Sequence, residues 1–86
     1  MIFLRTSCFR RDYQSLPHKI QISLEKALEL LLTDPRHPSL RSKKLPGTDF
    51  WYARITKAYR FTFQINGKTI TLRRAGTHDI LTRERR

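Results

Sequence analysis

The sequence predicts an α+β fold of order β-α-α-β-β-β, an antiparallel sheet with two helices packed on one face. Three observations predict it: apolar residues at helical spacing in the first half, strict alternation in the second, and an Asn66-Gly67 pair between two alternating runs. Ile2 to Leu4 is a short apolar segment that reads as the first strand. Phe9, Tyr13 and Leu16 fall on one helical face, which predicts a helix over 7–16. Pro17 suits the first turn of a second helix, where its missing N–H costs nothing. In that helix Ile20, Leu24, Ala27, Leu28 and Leu31 form the buried stripe, and Pro35 ends it. Residues 34–49 read as a loop rich in Pro, Ser and Lys. Trp51, Ala53 and Ile55 alternate with Tyr52, Arg54 and Thr56, and Phe61, Phe63 and Ile65 with Arg60, Thr62 and Gln64. The Asn66-Gly67 pair predicts a type I′ hairpin turn, and Lys68 to Arg74 is the return strand. Leu81 to Arg86 reads as a frayed basic tail.

Eighty-six residues make one domain, 1–86, and exclude a two-lobed enzyme. The chain carries 18 Lys and Arg against 7 Asp and Glu, a formal charge of +11. Residues 51–86 hold net +7 of it, so the positive field concentrates in the predicted sheet. Such a surplus points to nucleic acid, because lysines and arginines that pair with phosphates release counterions. A hydrophobic fraction of 38% is too high for a disordered basic tail and supports a small core. The single cysteine, Cys8, excludes an internal disulfide framework, and with three scattered histidines it gives no zinc spacing. The longest apolar run is too short to cross a membrane, Arg5 interrupts any signal-like start, and a reducing, cytoplasmic setting is expected.

The hairpin turn, with Asn66-Gly67 at its tip, sets Phe63 opposite Ile70, Phe61 opposite Leu72, Thr62 opposite Thr71 and Arg60 opposite Arg73. For the preceding hairpin burial chooses the register, since a slip of one residue would flip every side chain. Trp51 then meets Phe63, Ala53 meets Phe61 and Arg54 meets Arg60. The expected result is a row Arg54–Arg60–Arg73 on the face away from the helices, beside Tyr52, Thr62 and Thr71. Like charges set opposite across strands cost of order 0.2–1 kcal/mol per pair, a cost a bound anion relieves. His78 follows Arg73-Arg74-Ala75-Gly76-Thr77, where an imidazole can serve as general acid or base. His18 and His37 read as surface or capping residues. Lys43 and Lys44 sit in the loop leading into the sheet. No pair of carboxylates is placed for a Mg²⁺-dependent nuclease, so cleavage of RNA would run without metal or cofactor, through the ribose 2′-hydroxyl.

Leu45-Pro46-Gly47, Phe50-Trp51-Tyr52-Ala53-Arg54-Ile55-Thr56 and Tyr59-Arg60-Phe61-Thr62-Phe63 together resemble the bacterial RelE/ParE toxin superfamily. The ending Leu72-Arg73-Arg74-Ala75-Gly76-Thr77-His78-Asp79 is similar to the YafQ branch, and the Trp-x-x-Arg-Ile-Thr-x-x-x-Arg pattern to YoeB. The resemblance implies a microbial-ribonuclease-like fold and the toxin of a type II toxin–antitoxin module. It implies an endoribonuclease that cuts ribosome-bound mRNA and so stops translation. A cognate antitoxin would neutralise it, and their complex would bind operator DNA through the antitoxin. By position, Arg54 and Arg60 match phosphate-holding arginines, Arg74 matches the arginine before Gly-Thr-His, and His78 matches the histidine acid. Lys43 or Lys44 stand where other members place lysine or histidine. The open-face register favours Arg73 and the motif Arg74, so both enter the candidate site. No glutamate base stands near Pro38-Ser39, and no aromatic follows His78, which leaves Tyr52 or Tyr59 to stack on a base. Ala58-Tyr59 replaces the Asp-Trp of the YafQ branch. The rival readings are a ParE-like inhibitor of DNA gyrase, which cleaves nothing, and a catalytically weak RNA-binding relic.

Overall fold

A computed structural model describes residues 2–84. Strand β1 (Ile2–Arg5) leads through Thr6 into helix α1 (Ser7–Ser15), then α2 (His18–Thr33). A 3₁₀ turn at Pro38–Leu40 and the two-residue strand β2 (Lys43–Lys44) lie in the stretch read as loop. Strands β3 (Trp51–Arg54), β4 (Tyr59–Asn66) and β5 (Thr69–Thr77) follow, and helix α3 (Asp79–Glu84) closes the described chain. The sheet order is β1-β5-β4-β3-β2. The fold is therefore α+β as expected, but the sheet is mixed: β1 runs parallel to β5. A parallel neighbour requires a long crossover, and the α1–α2 pair supplies it.

The helices form for the reasons the pattern gives. Thr6 caps α1, its Oγ1 accepting from the Phe9 N–H at 3.2 Å. Pro17 stands one residue before α2, and Asp34, ahead of Pro35, ends it. Phe9 and Leu16 of the α1 face are buried, as are Leu24, Ala27, Leu28 and Leu31 of α2, while Tyr13 and Ile20 are half-buried. They pack against Ala53, Phe61, Phe63, Ile70, Leu72 and Ala75, which form the inner face of the sheet. At roughly 1.5–3 kcal/mol for each large apolar side chain, this layer supplies most of the stabilisation. Among the described residues no helix is long and apolar enough to cross a membrane.

The β3–β4 register is the one chosen by burial: Trp51 faces Phe63, Ala53 faces Phe61 and Arg54 faces Arg60. The β4–β5 register differs from expectation. Asn66 pairs with Thr69, so the two-residue turn is Gly67-Lys68 rather than Asn66-Gly67. Gly67 takes a φ of +59° and Lys68 does not enter the positive-φ region, the signature of a II′ turn rather than I′. This register sets Ile65 on Ile70 and Phe63 on Leu72, where the expected one would have set Ile65 on Lys68. A bulge follows, with Thr62 facing Arg74 and Phe63 facing Leu72, which leaves Arg73 as the extra residue.

The bulge corrects the predicted rows. Arg60 faces Gly76, not Arg73, and Thr62 faces Arg74, not Thr71. With Lys43 opposite Tyr52 and Tyr52 opposite Thr62, the row crossing four strands is Lys43–Tyr52–Thr62–Arg74. The tail is also different, because residues 79–84 form α3 rather than fraying; positions 85 and 86 lie outside the described residues. Ile80 is 5% exposed, and a Cβ added to Gly76 would meet its Cγ2 at 3.1 Å. Since Gly76 alternates with the inward Ala75, α3 packs on the face opposite α1 and α2. The outer face expected to be open is thus partly roofed.

Candidate nucleic-acid interface

The outer face divides into two basic groups. The first lies at the end of the sheet where β3 turns into β4. Arg54 and Arg60 are directly opposed. Arg60 Nη1 donates to the Lys57 and Tyr59 carbonyls at 3.1 and 2.9 Å, and to that of Thr56, so its guanidinium braces the loop between the strands. Burial, then the neighbouring charges of Arg54 and Arg41, lower the Arg60 pKa, against an opposing contribution from Tyr52. Among the described residues none of Arg41, Arg54 and Arg60 has a carboxylate within salt-bridge distance. Arg54 and Arg60 thus face each other without a counter-ion among the described residues, and the charge of Arg41 reaches Arg60 as well, an arrangement that suits an anion. Arg41 was not singled out in the sequence. It follows the 3₁₀ turn in a left-handed conformation, φ 47°, which nothing in Ser39-Leu40-Arg41 announces.

His78 belongs to the same end. Arg60 pairs with Gly76 and Tyr59 with Thr77, so His78 emerges one residue beyond the last pair. Its side chain is exposed, and its backbone carbonyl accepts from Leu81 N–H at the start of α3. Tyr59 is half-buried against the inner core, away from the outer face, whereas Tyr52 lies on the outer face between Lys43 and Thr62. Lys44 faces Trp51, so alternation separates the two lysines and gives the outer face Lys43 alone. His18 is exposed at the start of α2, and His37 caps the 3₁₀ turn, Nδ1 accepting from the Ser39 N–H at 3.1 Å.

The second group surrounds the bulge. Arg74 donates to Asp12 of α1 through Nε at 2.7 Å and Nη2 at 3.3 Å. The Ala75 N–H also donates to Asp12, at 3.0 Å, where β1 no longer runs alongside β5. Asp12 thereby ends the ladder and fastens α1 to the sheet, and its hydrogen bond, ahead of its charge, raises the Arg74 pKa. Arg73 lies 3.7 Å from the ring centre of Phe50 and donates to Glu84 of α3 at 2.9 Å. Thr6 Oγ1 donates to the Leu72 carbonyl at 2.8 Å and to that of Arg73 at 3.2 Å, holding the bulge against the start of α1. A cavity of about 440 Å³ opens here, lined by Thr6, Cys8, Phe50, the two arginines of the bulge, Arg83 and Glu84. A slightly larger cavity, about 470 Å³, lies on the helix side, where Leu31, Trp51, Phe63 and Ile65 form an apolar wall and Arg36, His37 and Arg41 also line it. The opposed Arg54 and Arg60 and the arginines of the bulge are the better candidates for a polyanion, because the sheet sets them on one face. Among the described residues no three His, Cys, Asp or Glu side chains gather as metal ligands would.

No family model and no curated protein sequence matches this chain. Solved structures do match. A YoeB/ParE toxin from Agrobacterium tumefaciens superposes with a TM-score of 0.78 at 19% identity, covering 91% of this chain and 99% of its own. YafQ from E. coli superposes at 0.79 and 15% identity, over 93% and 96%. The RelB-RelE antitoxin-toxin complex from Methanococcus jannaschii gives 0.75 at 22% identity, over 94% and 96%. The likeness spans nearly the whole of each chain and is one of architecture: this protein has the RelE-like fold shared by YoeB/ParE, YafQ and RelE toxins.

Proposed function

We propose that the chain is a toxin of the RelE/ParE kind that cuts ribosome-bound mRNA without a metal ion. One observation carries the reading: Arg54 and Arg60 face each other without a carboxylate partner among the described residues, at the end of the sheet where His78 follows β5. The fold likeness supports it. In this reading the uncompensated guanidiniums bind the scissile phosphate and stabilise the charge that builds on it. The ribose 2′-oxygen attacks phosphorus and its proton passes to water. The bond from phosphorus to the 5′-oxygen breaks, and His78, as imidazolium, donates its proton to that leaving oxygen and is recharged by solvent. The products are a 2′,3′-cyclic phosphate and a 5′-hydroxyl. In the same reading Lys43, Arg73 and Arg74 hold flanking phosphates and Tyr52, on the outer face beside Lys43, stacks on a base. Lys44 and Tyr59 have no direct part on this face. The partner is an acidic antitoxin, which would supply the negative charge the basic face lacks.

The test is induction of the chain in a bacterium, with translation and DNA integrity followed separately. A prompt stop in translation with cuts at defined mRNA sites, lost in His78→Ala, is expected. DNA damage with intact mRNA would instead favour inhibition of gyrase, and absence of any growth defect would favour a relic.

A further inference from the structure

The cavity beside the bulge holds a carboxylate that is lightly held. The Glu84 side chain is 5% exposed, and among the described residues its carboxylate takes one hydrogen bond, from Arg73 Nε. An ionised carboxylate has about four acceptor positions, and the Glu84 oxygen that Arg73 does not engage is not sealed from the cavity. Asp12, a few ångströms along β5, is the contrast: it takes three bonds, two from Arg74 and one from a backbone amide. The Asp12 pair is built into the fold, whereas the Glu84 pair is a loose stopper. It hangs on a helix of six residues whose buried apolar anchor is Ile80. Two further features of the cavity wall favour an anion. Arg83 reaches it with no ion pair among the described residues, and the first-turn amide of Cys8 has no acceptor within the helix.

We propose that this cavity is a second phosphate seat for the nucleic-acid strand, closed in the free protein by Glu84, which the strand's phosphate displaces from Arg73. The inference rests on the RNA-binding reading above and adds a location and a competitor to it. Arg74 faces Thr62, which stands two residues, about 7 Å of strand, from Arg60 along β4, so the second seat continues the same face of the sheet as the first. Phe50, already under the Arg73 guanidinium, gives the seat one apolar wall.

Cys8 makes the test direct, because it is the chain's sole cysteine, is exposed, and lines the cavity. The probe is a 2′-O-methyl RNA hexamer, which binds but cannot be cut. Its affinity is measured by fluorescence anisotropy, and Cys8 accessibility by the rate of reaction with N-ethylmaleimide. In the wild-type chain the hexamer should slow Cys8 labelling, and Glu84→Gln should tighten binding by about threefold or more while speeding labelling of the free protein. Arg83→Gln should weaken binding by a comparable factor. Thermal unfolding of each variant confirms that the fold is retained. Hexamer binding that is sensitive to Arg54→Gln but indifferent to Glu84→Gln, with Cys8 unprotected, overturns the second seat and leaves the RNA reading standing. Absence of hexamer binding by every form overturns both. Equal protection by inorganic phosphate at the same phosphate concentration overturns the assignment to a strand in favour of a free-anion site.

Discussion

Arg54 and Arg60 face each other across two strands, yet they have different work. Arg60 braces three carbonyls of the β3–β4 loop, and Arg54 makes no hydrogen bond of that kind among the described residues. Arg60→Gln should therefore cost about 1 kcal/mol of stability, and Arg54→Gln less than about 0.5, by chemical denaturation. Both should weaken binding of a single strand. His78 is exposed, so His78→Ala should leave the unfolding midpoint nearly unchanged while lowering the cleavage rate by about 100- to 10,000-fold. Thr62 presents the opposite case. It is fully buried on the outer face, and its hydroxyl has no hydrogen-bond partner among the described residues. Thr62→Val should raise stability by about 1 kcal/mol, read from the same denaturation curves, because it removes an unsatisfied group without opening a cavity. Of these residues, Arg54, Arg60 and His78 were legible from alternation and motif. Arg41 was not, since its place depends on a left-handed turn, and the pairing of Arg74 with Asp12 joins residues 62 positions apart.

Among the elements, β5 shows where sequence reasoning holds and where it stops. The β3–β4 register was readable because a slip of one residue would have put Arg54 on the buried side. The β4–β5 register was not, because the true pairing differs from the expected one by two residues, and a shift of two leaves every side chain on its own face. Only the turn geometry separates the two, and the better partner for Ile65 decides it. The bulge at Arg73 then moves the bulge arginines along the sheet, and no local pattern marks it. The last helix was missed because six residues with one buried apolar anchor give no periodic signal. The element-scale consequences are measurable. Asp12→Ala leaves the Ala75 amide and Arg74 without their acceptor, and should cost about 1–3 kcal/mol by chemical denaturation. Ile80→Ala should loosen α3 alone, so amide exchange should quicken over residues 79–84 while β4 and β5 keep their protection.

At the scale of the whole molecule, the basic surplus and the layered fold act together. Helices α1 and α2 cover one side of the sheet and bury its apolar residues, which leaves the outer side to the arginines of β3, β4 and β5 and to the short α3. If three to five phosphates are held there, the logarithm of affinity should fall against the logarithm of salt with a slope of about −2 to −3.5. Glu84 and Asp12 reduce the charge near the bulge, whereas the Arg41–Arg54–Arg60 end has no such compensation among the described residues, so its variants should flatten that slope most. A gyrase inhibitor of the same fold would also be basic, but it would have no use for an imidazole at the end of the outer face. The most direct measurement is therefore the chemistry of the cut end. Purified chain is added to ribosomes stalled on a defined mRNA, and the 3′ ends of the fragments are analysed. Cleavage leaving 2′,3′-cyclic phosphate, abolished by His78→Ala in a chain that remains folded, is the predicted result. Intact mRNA, or cleavage that His78→Ala leaves unchanged, would contradict the account.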